Sequence, residues 1–260
     1  MSNETVKKIL WWVCLFVAPL ILLTMELFHP AGFTTDPGMF QYLSVPHAHT
    51  AQHKALYYFG PNWWFTLHMI QTPLVCLVAV GLLLMMDGID REDGQLAMIF
   101  SWVARALILV FIIYYTSLDA IGGVGLGKTI EITESMANGT ANQAAQLTPD
   151  QVEGVAQVLN ATWTDPWVGG EGSFISETGS WAIFFATVFL ALSLFLAKKA
   201  PWPPLVILVA FGWELQVSHT AFHGPIAFGF LIIAAAWMWW ATKRVPYQPR
   251  LSQPGYAVGR

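Results

Sequence analysis

Residues 9–28 read ILWWVCLFVAPLILLTMELF, with one charged side chain in the whole stretch, and further apolar stretches of this kind follow along the chain. About 20 apolar residues in a row are what a helix needs to cross ~30 Å of hydrocarbon. The hydropathy pattern predicts an all-α, polytopic membrane protein with six transmembrane helices, at about 9–28, 63–86, 96–118, 178–197, 204–221 and 225–242. The whole chain, 1–260, reads as one integral membrane domain. Composition agrees: 55% of residues are hydrophobic, 11% are charged, and the mean hydropathy is +0.53. A water-soluble domain of this composition would be hard to keep in solution. The bilayer is therefore the first expected partner, with an oligomer or a larger complex left open. A net charge of −4 without a basic patch argues against a nucleic-acid partner.

Lysine and arginine set the expected orientation. Lys7, Lys8, Arg91, Lys198, Lys199, Lys243, Arg244, Arg250 and Arg260 fall on one side of the six spans; only Lys54 and Lys128 fall on the other. Both termini are then cytoplasmic. Two long loops, about 29–62 and 119–177, face outward from an inner (cell) membrane toward the periplasm or exterior. Cys14 and Cys76 lie inside apolar runs, so no disulfide framework is expected.

The stretch GGVGLGKT, residues 122–129, fits the phosphate-binding pattern G-x-x-x-x-G-K-[ST]. That pattern binds nucleotide only between a strand and a helix. Here it follows a membrane helix on the outer side, so no nucleotide is expected. Its glycines read instead as a flexible turn at a helix exit. Further on, Thr148, Pro149 and Gln151 form a capping box that predicts a short helix at 149–160. Trp163, Trp167 and Trp181 read as an aromatic belt at the headgroups.

The histidines carry the functional signal. All seven (His29, His47, His49, His53, His68, His219 and His223) fall on the outer side or close to it. Imidazole is the commonest ligand for zinc, copper and haem iron. His219 and His223 stand at i, i+4, which on one helix would put both rings on one face. His49 and His53 share the spacing. Axial haem ligands come from different helices, and His68 with His219 or His223 would suit a bis-His haem b. The absence of C-x-x-C-H rules out covalent haem attachment.

Acidic residues share this layer. Glu26 and Asp119 lie at outer helix ends, and Glu214 five residues before His219. They are candidate ligands, partners that orient imidazoles, or, for Glu214 and Asp119, catalytic bases. A solvated helix end is the plainer reading of Glu26 and Asp119. Arg105, inside the third span, would pair with Glu214. His219, His223, His68 and Asp119 are similar in type to the set used by seven-helix membrane zinc hydrolases, an HxxxH pair with a further His and an Asp; the helix count differs. The expected function is membrane redox chemistry through haem b or copper, exchanging electrons with a periplasmic carrier or a quinone. The alternatives are a zinc or copper metalloenzyme acting on a lipid or small apolar substrate, and a transporter or accessory subunit without cofactor.

Overall fold

The computed structural model describes residues 2–30, 38–45, 60–140, 146–220 and 222–244. Among these the chain is all helical, with no strand. The helices are α1 (Asn3–Glu26), α2 (Met39–Ser44), α3 (Pro61–Met85), α4 (Gln95–Ala137), α5 (Pro149–Trp163), α6 (Phe174–Leu196), α7 (Trp202–Val217) and α8 (His223–Arg244). Five of them are long and apolar enough to cross a membrane: α1, α3, α4, α6 and the Ala241-ending part of α8.

Local chemistry sets the starts. Ser2 and Ser173 cap α1 and α6 by accepting the backbone N–H of Thr5 and Ser176. Thr148 and Gln151 form the expected capping box, and α5 runs three residues past the predicted end. Pro61 and the Pro203–Pro204 pair occupy first turns, where a missing N–H costs nothing. Within α1 a widened π segment, Val13–Val17, lies just ahead of Pro19, which has no N–H to give the ladder.

Six helices close a ring in the order α1, α3, α4, α6, α7, α8, with α8 packing back on α1. Leu15, Leu22, Leu82, Ile108, Phe111, Phe211 and Phe228 fill its core. A second apolar cluster, built on Met39, Phe40, Leu43, Trp64, Leu126 and Ile130, joins α2 and α5 to the start of α3 and the far half of α4.

Several expectations need correction. GGVGLGKT is not a turn. It lies inside α4, whose 43 residues give a rod of about 65 Å at ~1.5 Å per residue, about twice a hydrocarbon core. The glycines serve close packing. A Cβ on Gly123 would stand 2.3 Å from the His68 ring, and one on Gly127 2.9 Å from Trp64 Cδ1. The segment 119–177 is thus largely helix rather than loop. The fifth predicted span also ends early, at Val217, because Ser218 is extended (φ −170°, ψ 151°). Pro225 then falls in the first turn of the new helix, where its missing N–H costs nothing.

The two ends of the ring differ chemically. At one end Lys7 Nζ lies 2.7 Å from Asp87 Oδ2, and Lys199 Nζ 3.2 Å from Asp93 Oδ2. Arg105 belongs here too. It donates to Ser101 Oγ (2.6 Å) and the Met86 carbonyl (2.8 Å) and lies over the Trp102 ring, so it does not pair with Glu214. The described histidines, His29, His68, His219 and His223, gather at the other end.

On α4, Leu96, Ile99, Trp102, Leu109 and Ile113 form an exposed apolar stripe, with Leu109 56% and Ile113 61% exposed. A soluble surface rarely tolerates such a stripe; lipid tails cover it without cost. Nitroxides placed at Leu109→Cys and Ile113→Cys in vesicles should collide readily with oxygen and little with a water-soluble nickel chelate. Strong relaxation by the chelate at both sites would rule out lipid contact.

Candidate metal centre

Three histidines from distant parts of the chain meet at one end of the ring. His29 follows the end of α1, His68 lies in the second turn of α3, and His219 sits between α7 and α8. One ligand nitrogen from each lies within 4.8 Å of the others. The rings meet edge to face, His29 at 5.3 Å from His68 and 5.0 Å from His219 between centroids. His29 and His68 are 1% and 3% exposed; His219 is half-buried.

Backbone contacts aim the rings. His68 Nδ1 lies 2.7 Å from the Trp64 carbonyl and His29 Nδ1 2.8 Å from the Pro30 carbonyl. A carbonyl only accepts, so each Nδ1 carries the proton and each Nε2 keeps its lone pair. This is the arrangement in which metal-ligating histidines are usually held.

The π segment of α4, Asp119–Gly125, forms the opposite wall. Its wider turn brings Asp119, Gly122 and Gly123, all buried, against α3. Trp64 Nε1 donates to the Gly122 carbonyl at 2.9 Å, and Thr72 Oγ1 to Asp119 Oδ2 at 2.8 Å. These two bonds lie on either side of His68 and lock α3 to α4 in register. The three imidazoles and Asp119 line a cavity of about 550 Å³, whose outer wall adds Trp163, Glu171, Ser176, Glu177 and Ser180. Trp163 packs edge-on against Trp64 at 6.0 Å. It is therefore a wall of the site.

The remaining site candidates divide clearly. Glu26 and Asp119 are not solvated helix ends; they are 0% and 1% exposed. Glu26 lies outside the 4.8 Å cluster and does not line the cavity, and neither of its oxygens has a hydrogen-bond partner among the described residues. His223 does not share a helix with His219, so the i, i+4 argument fails. His223 opens α8 and its Nδ1 lies 2.7 Å from Glu214 Oε2, a contact that ties together the two ends of the His219 loop. Glu214 is thus occupied away from the imidazole cluster. His47, His49 and His53 lie outside the described residues.

Sequence reasoning missed Gln71 and Tyr115. Both are buried, and the Gln71 amide donates to the Tyr115 hydroxyl, whose ring packs against His219. A glutamine inside an apolar span was the available signal. No family model, curated protein or solved structure matches the chain.

Gly123→Ala should force its new methyl into the His68 ring. Overpacking of this kind costs about 1–3 kcal/mol. A lower midpoint in thermal unfolding, with helix content by circular dichroism unchanged, is the expected result; an unchanged midpoint would mean the His68 ring is free to move aside.

Proposed function

We propose that the chain is an integral membrane metalloprotein whose outer end holds one metal ion on His29, His68 and His219. Convergence of the three imidazoles is the observation that carries this reading. Two nitrogens at about 2.0–2.1 Å from a shared ion stand at most about 4.2 Å apart. Three nitrogens around one ion in trigonal or tetrahedral geometry stand about 3.3–3.6 Å apart, so the 4.8 Å cluster closes on an ion by a movement of about an ångström. Three nitrogen ligands leave an open position, and the adjoining cavity gives a small molecule room to reach it. The ion would act as a Lewis acid on such a molecule or activate a bound water, with Asp119 on the cavity wall as the nearby base. This favours a zinc or copper metalloenzyme. The cavity is polar on its outer wall, so its substrate is a small molecule with hydrogen-bonding groups rather than a lipid tail.

A redox role is the second reading, favoured by the ring contacts that run from the cluster to the outer wall: His68 to Trp64 at 4.5 Å and Trp64 to Trp163 at 6.0 Å. Copper at the same three ligands would serve it, with a quinone or an outer electron carrier as partner. Haem b fits less well, because a porphyrin must lie between two axial rings and His29 stands against both of the others. The six-span arrangement, with cytoplasmic termini and the cluster facing the periplasm or exterior, rests on the lysine and arginine bias. In it α7, short at 16 residues, crosses with help from the His219 loop.

Metal analysis and absorption spectra of the purified, detergent-solubilised protein test this directly. One equivalent of zinc or copper is expected, lost in His29→Ala, His68→Ala and His219→Ala and kept in His223→Ala. A Soret band with sharp reduced α and β bands would instead establish haem, and no metal in any preparation would sink the proposal.

A further inference from the structure

We infer that Tyr115, anchored by Gln71, is a positioning residue for His219, and that it sets the geometry in which the three imidazoles hold their ion. The inference rests on the metal-site reading above and concerns the ligand whose support is otherwise thinnest.

The three rings are not held alike. His29 and His68 each have Nδ1 against a backbone carbonyl, and His68 also stands on a regular turn of α3. His219 lies in the break between Val217, the last residue of α7, and His223, the first of α8. Among the described residues nothing hydrogen-bonds to its ring. Two ring contacts hold it instead, His29 at 5.0 Å and Tyr115 at 5.8 Å between centroids, both edge to face. His29 belongs to the ligand set. Tyr115 is therefore the ring outside that set which His219 packs against among the described residues.

Tyr115 is well fitted to the task. It is buried on α4, and its ring packs on Phe111 of the same helix at 5.2 Å. Its hydroxyl accepts from the Gln71 amide on α3. A tyrosine has only two side-chain torsions, so one gripped at both ring and hydroxyl has little freedom left. Gln71 lies one turn beyond His68, so the helix that carries the second ligand also fixes the residue that backs the third. The pair is a poor stabiliser. Gln71 Oε1 is buried without a hydrogen-bond partner among the described residues, and an unsatisfied acceptor offsets what one neutral hydrogen bond contributes. What the pair contributes is placement. A ligand already in place loses less freedom when the ion binds, which tightens binding and fixes the coordination shape.

The test uses the full chain in detergent, stripped of metal and reloaded with Co²⁺, whose visible bands report the number and symmetry of its ligands. Zn²⁺ affinity is measured by competition on the same samples. Tyr115→Leu removes the ring. It should weaken Zn²⁺ about 10- to 100-fold, the range for partners just outside the ligand set, and shift the Co²⁺ bands. Tyr115→Phe keeps the ring and should recover most of that affinity while retaining a smaller band shift, as should Gln71→Leu. Ile108→Ala, at a buried position two turns away on α4, controls for lost stability: it should lower the melting temperature and leave both metal readouts as in the wild type. Wild-type Zn²⁺ affinity and wild-type bands in Tyr115→Leu overturn the inference. So does an equal loss in Ile108→Ala, which would make Tyr115 part of the core and no more. If Tyr115→Leu does not fold, Tyr115→Phe and Gln71→Leu decide, and unchanged bands in both overturn it. Wild-type protein that binds neither ion overturns the metal-site reading itself, a separate result.

Discussion

Inside an apolar bundle water cannot repair a mismatched polar group, so each one must be satisfied by the protein or by something the protein binds. Much of the architecture at the histidine end follows from that constraint. The Trp64 indole, the His68 imidazole and the Thr72 hydroxyl all sit on one side of α3, and each finds an oxygen acceptor nearby. Two of those acceptors belong to the π segment of α4. An ordinary α-helical turn would present them at a different angle, and a side chain at position 123 would hold the helices apart. The widened turn and the glycine are two parts of one solution, which lets α4 come close enough to satisfy α3. Among the described residues the Glu26 carboxyl and Gln71 Oε1 are exceptions in the same region, each without a hydrogen-bond partner.

Much of the fold was legible because its signals are local. Long apolar runs gave the helices, and Thr148 with Gln151 gave the start of α5. That His29, His68, His219 and His223 share one end of the bundle was legible too. Which of them meet was not, since His29, His68 and His219 are far apart in sequence and their partnership depends on ring closure. The misreadings have specific causes. GGVGLGKT reads as a turn if glycine is weighed by flexibility, whereas in a packed bundle glycine is equally a device for close approach. The spacing of His219 and His223 suggested one helix face, yet Pro225 was present to argue for a new helix starting near His223. Glu26 and Asp119 looked like solvated ends because sequence position does not reveal what α8 and α3 lay over them.

Because the three imidazoles come from the end of α1, the start of α3 and the α7–α8 connection, they report on the ring as a whole. α7 and α8 are neighbours along the chain, and α1 and α3 are its first two long helices. The closing contact is α8 against α1, the first and last long helices. His29 and His219 stand on either side of that seam, with Gly224 and Glu26 in contact across it. An ion shared by His29 and His219 would bind only the closed ring, and ligand binding to one state alone stabilises it by about 2.7 kcal/mol at 100 times the dissociation constant. Metal and fold would then be linked in the manner of small metalloproteins, where binding free energy is partly folding free energy. The seam has reason to need it. Gly224 leaves little side-chain packing there, and among the described residues the Glu26 carboxyl beside it has no hydrogen-bond partner. An ion shared by His29 and His219 would therefore act where the ring's own packing is thinnest.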